Sequence, residues 1–413
     1  MIKIENTICR EWRLRLYGLG VILILLSLVV GLITKQLWPF LPNGNPICID
    51  FGIFWLSGKF AASGDVARIF DHASFTSAQA EFFDPGSCPI VDGGKTGGPL
   101  LNPNRFWYPP VFLLFVYPFG MMKYSIALAV WIIVSFALYV AAVYMIISRS
   151  TAVILAATPF VLLANVYLGQ NGFFTAALIG FSLVFMERRP LLAGVFLGLL
   201  TYKPHFGVLF PIALLASRNW RALGSALSTT VALSILATMV FGYEGWISFI
   251  DGFTHRNPGL GGASGIEPRL QSVFGMLYLT GNGASTWVSW SVQLGVAAMV
   301  ALSIWMLWAR PISYNLKAAA LCAGSFLVTP YVLVYDLCIL PIAIAFFVKE
   351  GLSRGFLRGE RMAILMFSGL LFFMKLPIGP VICTILLLFI ARRIVYRRSP
   401  TELPLEESIA VPA

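Results

Sequence analysis

Only 11% of the 413 residues are charged, so each acid, base or amide in an apolar setting is conspicuous. Asp50 lies in CIDFGIFWLSGKF (48–60), beside Phe51, Phe54 and Trp55, soon after the first long apolar run. A carboxylate there fits two compatible readings. It can cap the helical segment that follows, or act as a general base at a membrane surface, where partial burial tunes its proton affinity. Lys203 and His205 share the YKPH turn (202–205) between two short apolar segments. A loop lysine commonly snorkels to lipid headgroups. It is also a compact point charge suited to phosphate, to which His205 can add a donor while Pro204 stiffens the turn.

Three further stretches carry polar groups. GQNGFF (169–174) offers the amides of Gln170 and Asn171, either as hydroxyl-binding groups or as parts of a glycine-bounded turn. FTHRNPGLGG (253–262) and EPRLQSVFG (267–275) hold His255, Arg256, Arg269 and Gln271 in a glycine-rich loop that reads as a mobile lid or as a loose connection. Asp336 ends TPYVLVYD (329–336), where an acid at membrane depth is a functional candidate by default and a partner for helix ends otherwise.

The elements that must position these groups are membrane helices. Hydrophobic residues make up 58% of the chain and the mean hydropathy is +0.83. A soluble domain has about 25% charged and 45–50% apolar residues. Apolar runs recur from end to end, giving an all-α polytopic membrane protein. The first run is long enough to span, and no small-residue cleavage site follows it, so it reads as a helix and not as a signal peptide.

The net charge of +11 sits in short connectors such as MERRP, SRNWRA and ARRIVYRR. That distribution is the positive-inside bias, for which anionic lipid suffices as partner, and it argues against nucleic acid. Cys48 and Cys88 share the loop after the first helix and can form a disulfide if that loop is extracytoplasmic. The other cysteines lie in or beside apolar helices, where a buried thiol is the plain reading. The sequence lacks Walker A, GxSxG and HExxH patterns, and its outer loops lack DxD, so it implies no metal and no cofactor.

The spans predict a bundle of about twelve crossings with both termini cytoplasmic. The segment 152–168, interrupted by Pro159, enters and leaves from one side. Residues 1–395 form one membrane-embedded domain with two large extracytoplasmic loops, 35–107 and 243–284, and 396–413 form a cytoplasmic tail. Within the first loop, Phe51–Ala62 and Ala73–Phe83 have helical spacing suited to the membrane surface, and GDVARIFD reads as a turn. The polar turns at 169–172, 202–205 and 329–336 fall on the same outer side, and so would any chemistry.

Taken in order, the Asp50 segment, FWYPPVFLLFVYPFG (106–120), the block GQNGFFTAALIGFSLVFMERRPLLAGVFLGLLTYKPHFGVLFPIALL (169–215) and TPYVLVYD resemble the pattern of glycosyltransferase family 87. These are polyprenyl-phosphate-mannose-dependent mannosyltransferase-like proteins of the GT-C membrane fold. The likeness runs over about 50–345, and the GQN to YKP block is its most specific part. It implies a catalytic acid in the first outer loop, a polyprenyl-phosphate hexose donor, mannose in the family's pattern, and a glycolipid or glycan acceptor on the outer face of a cytoplasmic membrane. By position Asp50 matches the family's base and Lys203 the lysine of its YKP motif, assigned to the donor phosphate. His205 stands where the pattern has glutamine, and 255–271 matches only loosely. The implied reaction is a single inverting displacement, with His205, Arg256 and Arg269 helping Lys203. Trp55, Tyr108, Gln170, Asn171, His255, Gln271 and Asp336 are expected to contact substrate. Two rivals remain: a transporter or flippase of lipid-linked sugars, and an O-antigen-ligase-like transferase relying on late-loop Arg and His.

Overall fold

The computed structural model describes residues 2–83, 106–148, 161–254, 270–280, 286–370 and 376–396. Among these every named element is helical, and the single bridge, Phe40 with Pro46, is isolated. The first helix, α1, runs Ile2–Thr34. The chain then returns to the bundle through Trp38, whose indole N–H donates to the Tyr167 carbonyl at 2.8 Å.

Three short helices follow: α2 (Asp50–Ala62), α3 (Val66–Phe70) and α4 (His72–Phe82). Two expectations change here. The α2 segment was expected on the membrane surface, yet all but three of its residues are buried. It is apolar nearly all round, and such a helix seeks protein on every side. GDVARIFD is no simple turn, because Val66 and Ile69 are buried on one side of α3 while Arg68 lies over the Phe60 ring.

Helix α2 packs on α5 (Val111–Gly120) through glycines. A Cβ at Gly58 would stand 2.3 Å from the Val116 carbonyl oxygen, and one at Gly120 would stand 2.1 Å from the Gly58 carbonyl carbon. No side chain fits there, so the two backbones touch.

The chain continues through α6 (Tyr124–Ile147), α7 (Val161–Leu168), α8 (Gly172–Phe185) and α9 (Pro190–Leu199). After α9 come a 3₁₀ turn (Leu200–Tyr202), α10 (Pro204–Gly207), α11 (Leu209–Ala216), α12 (Trp220–Phe241) and α13 (Glu244–Thr254). Then follow α14 (Val273–Thr280), α15 (Thr286–Trp308), α16 (Tyr314–Val328), a 3₁₀ helix (Val334–Ile339), α17 (Leu340–Arg354), α18 (Glu360–Leu370) and α19 (Ile378–Tyr396). Prolines open α9, α10 and α17 near their first turns, where a missing N–H is harmless.

Four described helices, α6, α12, α15 and α19, are long and apolar enough to cross a membrane. Their outward residues are apolar too, with Met239 79%, Leu294 62% and Leu388 64% exposed, as lipid contact requires. The expected count of about twelve crossings goes beyond these four. The segment expected to enter and leave from one side is described only from Val161 onward. The 397–413 tail, residues 84–105 and 255–269 lie outside the described residues, with Cys88, His255, Arg256 and Arg269 among them.

Three interruptions share one design: 169–171 between α7 and α8, Lys203 between two short helical pieces, and 329–333 after α16. The packing of α2 on α5 is directly testable. Gly58→Ala should lower stability by about 1–3 kcal/mol, read as a fall in Tm in detergent. Gly295→Ala, whose Cβ meets nothing within 4 Å, should be neutral or slightly stabilising.

Candidate active site

The three interruptions bring their polar residues together. Asp50 is the first residue of α2, 6% exposed, and the N-cap position belongs to Ile49, with no side-chain cap. The capping reading therefore gives way to a different contact. Gln170 Nε2 donates to Asp50 Oδ2 at 2.7 Å. Gln170 is itself fixed, since its Oε1 accepts from the Asn171 N–H at 3.2 Å and its carbonyl accepts from the Trp131 indole at 3.4 Å.

Lys203 and Asp336 form the second centre. Lys203 Nζ donates to Asp336 Oδ1 at 2.6 Å, and the two side chains are 4% and 2% exposed. The other carboxylate oxygen of Asp336 accepts from the Leu333 N–H at 3.1 Å, which ties the acid to the start of its own 3₁₀ helix. The Lys203 ammonium also lies 4.9 Å from the centre of the Tyr335 ring. Burial pulls this ammonium below its ordinary value, and the Asp336 carboxylate opposes the fall. Asp50 is near enough to act on the same ammonium. Burial pushes the Tyr331 phenol up, and the charges of Asp336 and Asp50 add to the rise.

The remaining sequence candidates separate into groups. Tyr108 joins the cluster: it lies beside Asp336 and Asn171, and its ring contacts Phe112 and Tyr202. His205 turns its ring toward Tyr331, 6.3 Å between centres, and its Nε2 is buried without a hydrogen-bond partner. Trp55 contacts a different set of groups, since its indole donates to the Met122 carbonyl at 3.0 Å and its ring meets Phe82 and Tyr124. Gln271 is a staple between segments: its N–H donates to the Val332 carbonyl at 2.7 Å and its amide to the Leu376 carbonyl at 2.9 Å. Cys48 is disulfide-bonded, while Cys88, its expected partner, lies outside the described residues. No group of three or more potential metal ligands occurs among the described residues.

Two residues the sequence reading missed hold the interruptions in shape. Asn165 donates to the Tyr335 carbonyl at 2.9 Å and accepts from the Gly172 N–H at 3.0 Å, joining α7, α8 and the Asp336 helix. Gly172 must be glycine, because its Cβ would stand 2.2 Å from the Tyr335 carbonyl oxygen. Gln293 donates to the Leu327 and Val328 carbonyls at 2.8 and 3.1 Å, satisfying the end of α16, and accepts from the Phe274 N–H. The available signal was an amide inside an apolar run, LLANVYL for Asn165 and SVQLGV for Gln293.

The Lys203–Asp336 pair makes a quantitative prediction. Removing either partner leaves a buried charge alone, so Lys203→Met or Asp336→Leu should cost about 3–5 kcal/mol, while the double variant recovers most of that loss. Thermal unfolding of the four proteins closes the cycle. Additive losses would mean that the two groups do not depend on each other.

The profile described as Glycosyltransferase family 87 matches residues 106–330, more than half of the chain. Neither a curated protein nor a solved structure matches. The matched region contains Tyr108, Gln170, Asn171, Lys203 and His205 and stops six residues short of Asp336, while Asp50 precedes it. On this match and its apolar helices, the chain belongs to glycosyltransferase family 87 and is a membrane glycosyltransferase.

Proposed function

We propose that the protein transfers a hexose, mannose first among the candidates, from a polyprenyl-phosphate carrier to a glycan or glycolipid acceptor on the outer face of a cytoplasmic membrane. The observation that carries this reading is the placement of Asp50. Its carboxylate is held by Gln170, within electrostatic range of a buried lysine, at a junction of broken helices.

In the proposed reaction the acceptor oxygen attacks the anomeric carbon as the bond to the carrier phosphate breaks, with inversion. Asp50 takes the acceptor proton, and the carrier phosphate leaves with the bonding electron pair. Gln170 orients the base. Lys203 has three N–H donors, and its one hydrogen bond to Asp336 leaves two for the phosphate. Asp50, Asp336 and Lys203 together carry a net negative charge when ionised, so an anionic donor requires further cations. In this reading Arg256 and Arg269 supply them, and His205 adds a donor.

Two features support a lipid-borne donor used outside. An apolar groove of about 850 Å³ runs between α14, α15, α16 and α19. Its wall includes Val273 and Leu327, two residues in sequence from Gln271 and Thr329. The disulfide at Cys48, two residues before Asp50, suits an oxidising compartment.

The test is sugar transfer from synthetic polyprenyl-phosphate mannose by the purified protein. Asp50→Asn should lower kcat by about 10²–10⁴-fold with Tm unchanged, and Gln170→Leu should lower kcat with a smaller effect on KM. An Asp50→Asn protein with full activity would remove Asp50 from the chemistry. A wild type inert toward polyprenyl-phosphate mannose, glucose and galactose would sink the donor assignment.

A further inference from the structure

Gln170 and Asn171 are adjacent amides with different surroundings. Gln170 uses both ends of its side chain within the protein. Asn171 uses neither: it is 0% exposed, and its Oδ1 and Nδ2 both lack a hydrogen-bond partner. Burying an amide without a partner destabilises a fold, so such groups are rare and call for a reason.

The ordinary reasons do not apply. Asn171 is the N-cap of α8, a position where asparagine is favoured because its side chain accepts from the first helical turn, but here no such bond forms. Its backbone is already satisfied, since its N–H donates to Gln170 Oε1 and its carbonyl accepts from the Thr175 N–H at 2.9 Å and hydroxyl at 3.0 Å. The Tyr108 hydroxyl lies within interaction range of this side-chain amide, though neither amide atom reaches hydrogen-bond geometry with it. An unpartnered donor, an unpartnered acceptor and a phenol thus meet one residue away from the group that holds Asp50.

We propose that Asn171 and Tyr108 form a recognition point for a hydroxyl of the transferred pyranose. The inference rests on the reading of Asp50 as the base in sugar transfer and adds a specificity site to it. A sugar hydroxyl is both donor and acceptor and can satisfy the amide and the phenol together. Binding there holds the ring beside Asp50 while the anomeric carbon meets the acceptor. An enzyme built this way discriminates strongly against a sugar lacking that hydroxyl, because the buried amide is then left without a partner.

The experiment has two arms. Wild type, Asn171→Leu and Tyr108→Phe are assayed with polyprenyl-phosphate mannose and its 2-, 3-, 4- and 6-deoxy analogues. Asn171→Leu should reduce kcat/KM for the parent sugar by on the order of 10²-fold, yet lose nothing further on one deoxy analogue, which identifies the hydroxyl. Equal losses on all five sugars would overturn the proposal. In the second arm Tm is measured without ligand. Replacing an amide kept for a ligand by an apolar isostere should raise Tm, whereas a structural or water-satisfied amide should make the variant less stable. If the wild type transfers none of the sugars, the donor reading fails and the second arm decides alone. A lowered Tm then overturns the recognition role, and a raised Tm keeps it for another hydroxylated ligand.

Discussion

A backbone that leaves the helical path inside an apolar bundle must find partners for the N–H and carbonyl groups it frees, because neither lipid nor hydrocarbon side chains can supply them. The candidate site is built around that constraint. Asn165, Gln293, Gln271 and Asp336 answer the freed groups at 169–172, 327–333 and 376–379. Asp336 answers its own segment, while Asn165, Gln293 and Gln271 also reach carbonyls in distant parts of the chain. Polar groups that remain open after this fastening are then few and identifiable, among them Asn171, His205 and Thr329.

Charge is organised by the same scarcity. The buried lysine is neutralised by a single acid whose other oxygen is held by backbone, so the pair has one geometry. Such a pair adds little net stability, because desolvation of both ions offsets their attraction. Its contribution here is placement. A lysine is held against one acid in an apolar interior, within electrostatic range of a second carboxylate that is steadied by an uncharged amide.

Much of this was legible in the sequence because apolar run length and glycine or proline punctuation are local signals. The runs at 125–147, 222–242 and 285–308 became α6, α12 and α15 within a few residues, and Asp50, Gln170, Lys203 and Asp336 stood out as polar groups in apolar company. What stayed hidden depends on contacts distant in sequence. The α2 segment looks like a surface helix until α5 is seen to approach it at Gly58. Gln170 and Asn171 look interchangeable as neighbouring amides, and only the arrival of Asp50 from 120 residues away distinguishes them. Asn165 is one polar letter in an apolar run until Tyr335, 170 residues on, presents its carbonyl.

The groove beside α15 and α19 opens among residues such as Val292, Met299 and Leu388 and is lined mostly by aliphatic carbon. Such a surface does not distinguish an isoprenoid from any other alkyl chain by hydrogen bonding. A detergent tail is therefore a competitor for it, and extraction from the bilayer changes the occupancy of the groove along with its solvent. If the proposed lipid-borne donor uses this groove, its apparent affinity scales with its mole fraction in the micelle, and a short-tailed or branched amphiphile is a different inhibitor from a long straight one.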